Sequence, residues 1–418
     1  MLYSTRSKLI VSFAGLSFLV CGVALLVGGQ LLYGAFLNEA ANRVRSDLNA
    51  AREIYLARVK GLRVALSITA LGPAFRSAIG KKDGRRVVDL LREVARQSEL
   101  DFAGMVTRDG KRFCHIGPDA VSNEAYPPNP IADLALKHHT PVAGTLMLSQ
   151  EFLASEDPGL ANRARMKLFP TRRSAPQTET EETLGMALSA AVPVFEGENL
   201  LGVLYGGVLL NRSREIVDQV CNTVFQQETY KGRTIGTAAL FFRDIRISTN
   251  FLSSDGTRAL GTLASEEVER RVLTEGKTWT DRAFVVSDWY ITAYEPIEDV
   301  FGQRVGMLGI GVLEAKYADV RSKALSVFIF ITVAGMACAV GLGYIIADKI
   351  SRPVHQLIEA SLQVTQGNLS PEMGPVSRSE IGVLQKTFKK MLVSFEERDE
   401  RLKKESEIKL FQSEKQAT

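Results

Sequence analysis

Two stretches without a charged residue, 9–37 and 324–347, frame 286 residues whose apolar and polar positions alternate in short, mixed patterns. Hydrocarbon about 30 Å thick takes roughly 20 helical residues to cross, and lipid offers the backbone no hydrogen-bond partner, so each run predicts a membrane-spanning helix. A cleaved leader has an apolar region of about 7–15 residues. The first run has 29 and leads into Asn38-Glu39 with no small-x-small site, so it reads as a retained anchor. Arg6 and Lys8 precede the first run and Lys349 and Arg352 follow the second, while Arg43, Arg45, Arg321 and Lys323 lie on the opposite flanks. Long domains translocate largely regardless of their own charge, so both ends are expected in the cytoplasm and the middle outside.

Beyond the second run the pattern turns to heptads. Ile350, Val354, Leu357, Ser361 and Val364 step by four, three, four and three. Ile381, Leu384, Phe388, Met391 and Phe395 repeat the rhythm, with Arg398 and Leu402 in register. Gly367-Asn368-Leu369-Ser370-Pro371 between them interrupts any helix. Two helices with so narrow a stripe need a partner copy to bury it. With Pro353 opening the first helix, Gly367 and Leu369 in the connector and Glu380-Ile381-Gly382 opening the second, residues 348–398 resemble the HAMP linker of bacterial transmembrane receptors and sensor kinases. The resemblance implies a homodimeric parallel four-helix bundle at 348–400. Pro353, Gly367, Leu369, Glu380 and Gly382 would be its relay positions, and a coupling of about 1–3 kcal/mol would bias it.

In the middle segment, Val44, Leu48, Ala51, Tyr55 and Leu62 predict a helix over 38–69 that continues the first span and forms the spine of a dimer. Helices are expected at 85–98 and 131–137, and a hairpin over 102–116 that turns at Arg108-Asp109-Gly110-Lys111. An internal echo follows. Ala191-Val192-Pro193-Val194 with the glycine-rich run 201–209 matches Tyr294-Glu295-Pro296-Ile297 with 305–313. The offset is 103 at the prolines and 104 at the pairs Gly202/Gly306 and Gly207/Gly311. Each copy reads as strand, turn, strand, then a charged helix.

That layout resembles the double Cache sensor, two PAS-like sheets strung on a long helix, and the likeness is sharpest over 246–297. The fold class is therefore a membrane protein, α plus α/β. It comprises a cytoplasmic N-terminus (1–8), two transmembrane helices (9–37 and 324–347), an extracytoplasmic double Cache sensor (38–323), a cytoplasmic HAMP bundle, and a coiled-coil tail (401–418). The distal module is set at about 70–215 and the proximal at 216–323; no element is assigned to the polar excursion 155–183.

Composition adds limits rather than identity. With 51 basic and 47 acidic residues interspersed, net +4, no surface for nucleic acid is expected. Cys21 and Cys338 lie inside the apolar runs; Cys114 and Cys221 are 107 residues apart, and their pairing stays open. A pocket for a small anion needs a fixed cation and aromatic walls. Arg282, Asp288, Trp289, Tyr290 and Tyr294 are the proximal candidates. Arg112, His115, Tyr126 and Tyr205 are the distal ones, which the double Cache resemblance favours. His138-His139 reads as a helix end, and neither metal nor cofactor is expected.

The expected partners are a small-molecule ligand (a carboxylate or an amino acid), membrane lipid, a second copy of the chain and a separate cytoplasmic signalling protein. The setting would be a bacterial inner membrane with the sensor periplasmic. Residues 396–418 are too few for a catalytic domain, so no enzyme activity is expected. Two other readings remain open: the sensory half of a histidine kinase or chemoreceptor, and a scaffold without a switching role.

Overall fold

A computed structural model describes residues 5–118, 120, 127–253, 255–285 and 288–416. Its contacts divide the chain into two units, one running from Gly34 to Val320 and the other formed by residues up to Tyr33 together with those from Arg321 onward.

The Gly34–Val320 unit begins within α1 (Thr5–Leu71), a 67-residue helix. It stops where Gly72 turns extended ahead of Pro73, which opens α2 (Pro73–Gly80). In α3 (Gly84–Gln97), Asp83 caps the start by accepting from the Arg86 amide. The first module then runs through β1 (Phe102–Thr107), β2 (Arg112–His115), α4 (Pro130–His138), β3 (Val142–Leu148), α5 (Gln150–Glu156) and α6 (Pro158–Ala164). A two-stranded ribbon, β4 (Met166–Lys167) and β5 (Glu181–Glu182), leads into the long pair β6 (Gly185–Glu196) and β7 (Asn199–Leu209). The second module follows with α7 (Glu215–Val224), the ribbon β8 (Thr229–Tyr230) and β9 (Arg233–Thr234), then β10 (Gly236–Phe242) and β11 (Ile245–Thr249). It closes with α8 (Glu266–Glu269), a π-helical turn at Arg270–Thr274, β12 (Trp279–Val285), β13 (Asp288–Glu298) and β14 (Arg304–Leu313).

Both five-stranded sheets have one order. The first is β2-β1-β7-β6-β3 and the second β11-β10-β14-β13-β12, antiparallel throughout. The sequence echo falls on β6–β7 and β13–β14. A Cβ on Gly202 would stand 2.2 Å from the Val106 carbonyl oxygen, and one on Gly306 would stand 2.0 Å from that of Phe241. Glycine at these two positions lets the neighbouring strand close.

The main core lies between the outer part of α1 and both modules. Val44, Leu48, Ala51, Tyr55 and Leu62 are 0–6 % exposed, packed with residues of both sheets. This corrects the expected use of that stripe: it is buried by the chain's own sheets and has no surface left for a dimer seam. Tyr55 Oη and Thr145 Oγ1 lie 2.7 Å apart, and Arg52 Nε donates to Glu295 at 2.8 Å, so the same helix holds on to both modules.

In the other unit, α1 and α9 (Glu314–Thr365) supply the two helices that, among the described residues, are long and apolar enough to cross a membrane. Their apolar windows are not buried by protein: Phe18, Leu26 and Phe330 are each 72 % exposed. A soluble core helix would hide such residues; a lipid-facing one does not. The helices meet where Gly28 faces the Phe328 ring and Gly343 faces Phe13. After Pro353, inside α9, the helix runs on to Thr365 and the connector leads to α10 (Glu380–Gln416). Ala360, Gln385 and Leu392 are buried in this single chain, whereas Ile350, Val354, Leu384, Met391 and Phe395 are 38–59 % exposed. Leu357, Val364, Ile381 and Phe388 are partly buried, so one copy leaves part of the heptad seam uncovered.

Candidate functional site

Each module gathers polar groups on one sheet face, with opposite electrostatic outcomes. In the first, Arg112 and His115 on β2 and Tyr205 on β7 converge on Glu156 at the end of α5. Tyr205 donates its hydroxyl to Glu156 Oε1 at 2.7 Å, and Arg112 Nη2 lies 3.3 Å from the same oxygen. Arg112 also donates to Ser155, at 3.1 Å to the carbonyl and 2.8 Å to the hydroxyl. His115 Nδ1 is 3.7 Å from Glu156 Oε2. Gly104 makes the phenol's reach possible, since a Cβ there would fall 2.4 Å from the Tyr205 hydroxyl. All four side chains are buried, Glu156 with 2 % exposure. The cation of this module already has an internal carboxylate.

Three of the distal candidates therefore do meet, and Tyr126 lies outside the described residues. Glu156 was missed. It is the last residue of α5, just before Asp157 and Pro158 start the next helix, and a glutamate at such a polar junction carries no sequence mark of burial.

The proximal candidates divide between two faces because alternate strand residues point oppositely. Asp288, Tyr290 and Tyr294 share one face of β13. Trp289 stands on the other, with Phe284 edge-on at 5.6 Å and the Arg282 guanidinium 4.7 Å from its ring centroid. Arg282 is half exposed and pairs with Glu314 at 2.9 Å. It is therefore not the fixed cation of a pocket. On the Tyr290 face, a cavity of about 400 Å³ is lined by Thr237, Asn250, Phe251, Asp288 and Tyr290 among others. Asp288 there pairs with Arg233 at 2.8 Å, and Phe251 meets Tyr290 edge-on at 5.9 Å. Burial raises the Tyr290 phenol to about 12.

The cation on this face is Arg246, on β11 opposite Phe241. It is 5 % exposed, with its guanidinium 5.2 Å from the Phe241 ring centroid. Among the described residues no acceptor reaches its Nε or Nη1. Burial holds the guanidinium below its ordinary value, partly offset by the phenols of Tyr294 and Tyr290; no carboxylate contributes. Each unmet buried donor costs about 1–3 kcal/mol. Arginine at this position was legible as part of 246–250, but its burial was not.

Cys114 and Cys221 are both free and buried, and burial pushes each thiol up to about 12. Among the described residues no group of three or more His, Cys, Asp or Glu side chains is placed to hold a metal ion. In the connector, Gly367 adopts φ +94°, and Gly382 takes the Ser377 carbonyl so closely that a Cβ would lie 1.7 Å from it. Leu369 is half-buried, Pro353 lies within α9, and Glu380 starts α10 exposed.

Residues 208–324 match the family model for Single cache domain 3, and residues 345–397 match that for the HAMP domain. The Cache match is to a single-module family and covers the second sheet; the first sheet, of the same strand order, stands outside it. A sensory transducer protein of Acetivibrio thermocellus is 29 % identical over 137 residues, 32 % of this chain. The matched stretch spans about a quarter of that relative, 24 % of its length. Among solved structures, the periplasmic domain of Vibrio cholerae LuxQ is 12 % identical, covering 64 % of this chain and 99 % of that one, with a TM-score of 0.38. The ligand-binding domain of Pseudomonas aeruginosa PctB with L-Gln is 13 % identical, covering 69 % and 98 %, with a TM-score of 0.33. The sensory domain of Campylobacter jejuni Tlp3 with isoleucine is 11 % identical, covering 69 % and 97 %, with a TM-score of 0.35. At these scores the structural likenesses say nothing about a ligand. The chain contains a Cache sensor domain and a HAMP domain, with an apolar helix long enough to cross a membrane leading from one to the other.

Proposed function

We propose that this chain is a transmembrane receptor subunit that senses a small extracytoplasmic molecule and passes its state to a cytoplasmic signalling protein. One observation carries the reading. The Cache-matched residues run through β14 and end at 324, already within α9, and α9 passes through its apolar stretch into the HAMP-matched residues without leaving the helix. A displacement of the last sensor strand along the helix axis then has a stiff, hydrogen-bonded path to the connector. The partly exposed heptad seam of α9 and α10 supports a homodimer, because a second copy would bury residues such as Leu384 and Phe395. The working setting is a bacterial inner membrane with the sensor periplasmic and both ends cytoplasmic. The polypeptide acts by binding and repacking, with no catalytic step assigned to it.

The topology is tested with Lys231→Cys and Lys403→Cys in a cysteine-free background, at positions 70 % and 76 % exposed. A membrane-impermeant maleimide added to intact spheroplasts should label the first and spare the second until the membrane is opened. Labelling of position 403 in intact spheroplasts would contradict the proposed orientation.

A further inference from the structure

Helix α1 carries a second apolar stripe besides the one that packs on the sheets. Ala50, Ile54, Ala57, Gly61, Val64, Ile68 and Leu71 step by four, three, four, three, four and three, and no charged residue enters the row. At about 3.6 residues per turn, this row lies on the side of the helix away from Val44, Leu48, Ala51, Tyr55 and Leu62. The chain's own sheets do not cover it. Val64, Ile68 and Leu71 are 45, 66 and 66 % exposed. Ala50, Ala57 and Gly61 are exposed as well, nothing stands within 4 Å of where a Gly61 Cβ would be, and Ile54 is half-buried. At 1.5 Å per residue the row is about 32 Å long. Single exposed apolar residues are ordinary, but a continuous row outside the membrane marks a surface that another protein covers.

Orientation, charge and continuity each point to a second copy of this chain as the cover. α1 runs without a break from its apolar stretch to Leu71, so two copies in one bilayer send this helix out in the same direction. Only a parallel pairing is open to them, with each residue of the row opposite its own counterpart. In a parallel pair, flanking positions five residues apart meet across the seam, which sets Glu53 of one copy beside Arg58 of the other. Those charges are opposite. Ile54 and Ile68 fall where β-branched side chains favour two strands, and Leu71 falls where leucine does. The same chain leaves a second heptad face partly open at Leu384, Met391 and Phe395 of α10, which asks for the same partner.

We propose that residues 50–71 of α1 form a parallel two-stranded coiled coil with the same residues of a second copy, as the extracytoplasmic counterpart of the α9–α10 seam. The pairing rests on the homodimer of the receptor reading and gives it a separate contact. It also assigns α1 two faces with different partners: the stripe of Val44, Leu48, Ala51, Tyr55 and Leu62 holds the chain's own sheets, and the row from Ala50 to Leu71 holds the other copy.

The test uses the full chain, purified and reconstituted in liposomes, with single cysteines in a cysteine-free background. Ala57→Cys, Val64→Cys and Leu71→Cys lie in the row, Leu56→Cys and Arg63→Cys beside it, all at exposed positions. Under copper–phenanthroline oxidation the first three should form disulfides between copies about tenfold faster than the other two, because core positions of a parallel pair face their own counterparts. Adding Val64→Asp and Ile68→Asp should slow crosslinking of Ala57→Cys to the rate of the flanking positions, with the sensor's tryptic pattern unchanged. Should that chain not fold, Ile68→Lys alone is read against the same rates. Leu384→Cys is oxidised in parallel and reports the homodimer itself. Crosslinking at 384 with equal rates at all five α1 positions overturns the α1 seam and leaves the homodimer standing. Crosslinking along the row but not at 384 supports the α1 seam and contradicts a homodimer through α10. No crosslinking at either place overturns both, and an Ala57→Cys rate unmoved by the charged substitutions overturns the α1 seam.

Discussion

At the scale of single residues, burial decides which groups react and which hold. Cys114 and Cys221 have thiols pushed up to about 12, so almost no thiolate exists at pH 8. Iodoacetamide should leave both unmodified in the folded chain and alkylate both after denaturation, as counted by mass spectrometry; a crosslinked 114–221 peptide would contradict their free state. Glu156 is the acceptor of the distal cluster. Removing it with Glu156→Ala leaves the Arg112 charge buried without its carboxylate, an expected loss of about 3–5 kcal/mol. Tyr205→Phe removes one donor from that carboxylate and should cost about 1–3 kcal/mol. Thermal melting should rank the two in that order. Arg112, His115 and Tyr205 were legible as candidates because cations and phenols on strands are the groups an anion site needs. Glu156 and Arg246 were not, since sequence gives residue type and strand parity but not which polar side chain is enclosed.

At the scale of elements, the sheets were legible where glycine and proline punctuate them. The 103–104-residue echo falls on two strand pairs, and its glycines sit where a neighbouring carbonyl leaves no room for a Cβ. Gly306→Ala would place a methyl 2.0 Å from a backbone oxygen and should destabilise the sensor by about 1–3 kcal/mol. Gly61→Ala, in mid-helix with nothing within 4 Å, should instead stabilise by about 0.5–1 kcal/mol. Equal losses at both positions in melting experiments would contradict the pairing of Gly306 with Phe242 across β14 and β10. The spine stripe shows the limit of periodicity. Heptad spacing marks a buried face but not what buries it, and in α1 the burying partner is the chain's own pair of sheets. Along α10 the same spacing marks a face the chain leaves partly open. Gly382→Ala should displace the Ser377 carbonyl and disturb the connector, seen as increased proteolysis at 366–379 with the sensor's melting unchanged.

At the scale of the whole molecule, the proposed receptor works only if ligand state in the sensor changes the packing of the cytoplasmic seam. Two apolar helices, a Cache domain and a HAMP domain supply the parts, and α9 supplies the covalent path. A coupling of about 1–3 kcal/mol would change the balance between two packings roughly 5–150-fold, enough to read directly. The decisive measurement is disulfide crosslinking between copies of the full chain in membranes, with single cysteines at Ile381, Leu384, Phe388, Met391 and Phe395, with and without a small molecule shown to bind the sensor. Crosslinking is expected at the heptad positions in both states, with the relative rates along the seam redistributed by the ligand. An identical profile in the two states would contradict signalling through the seam.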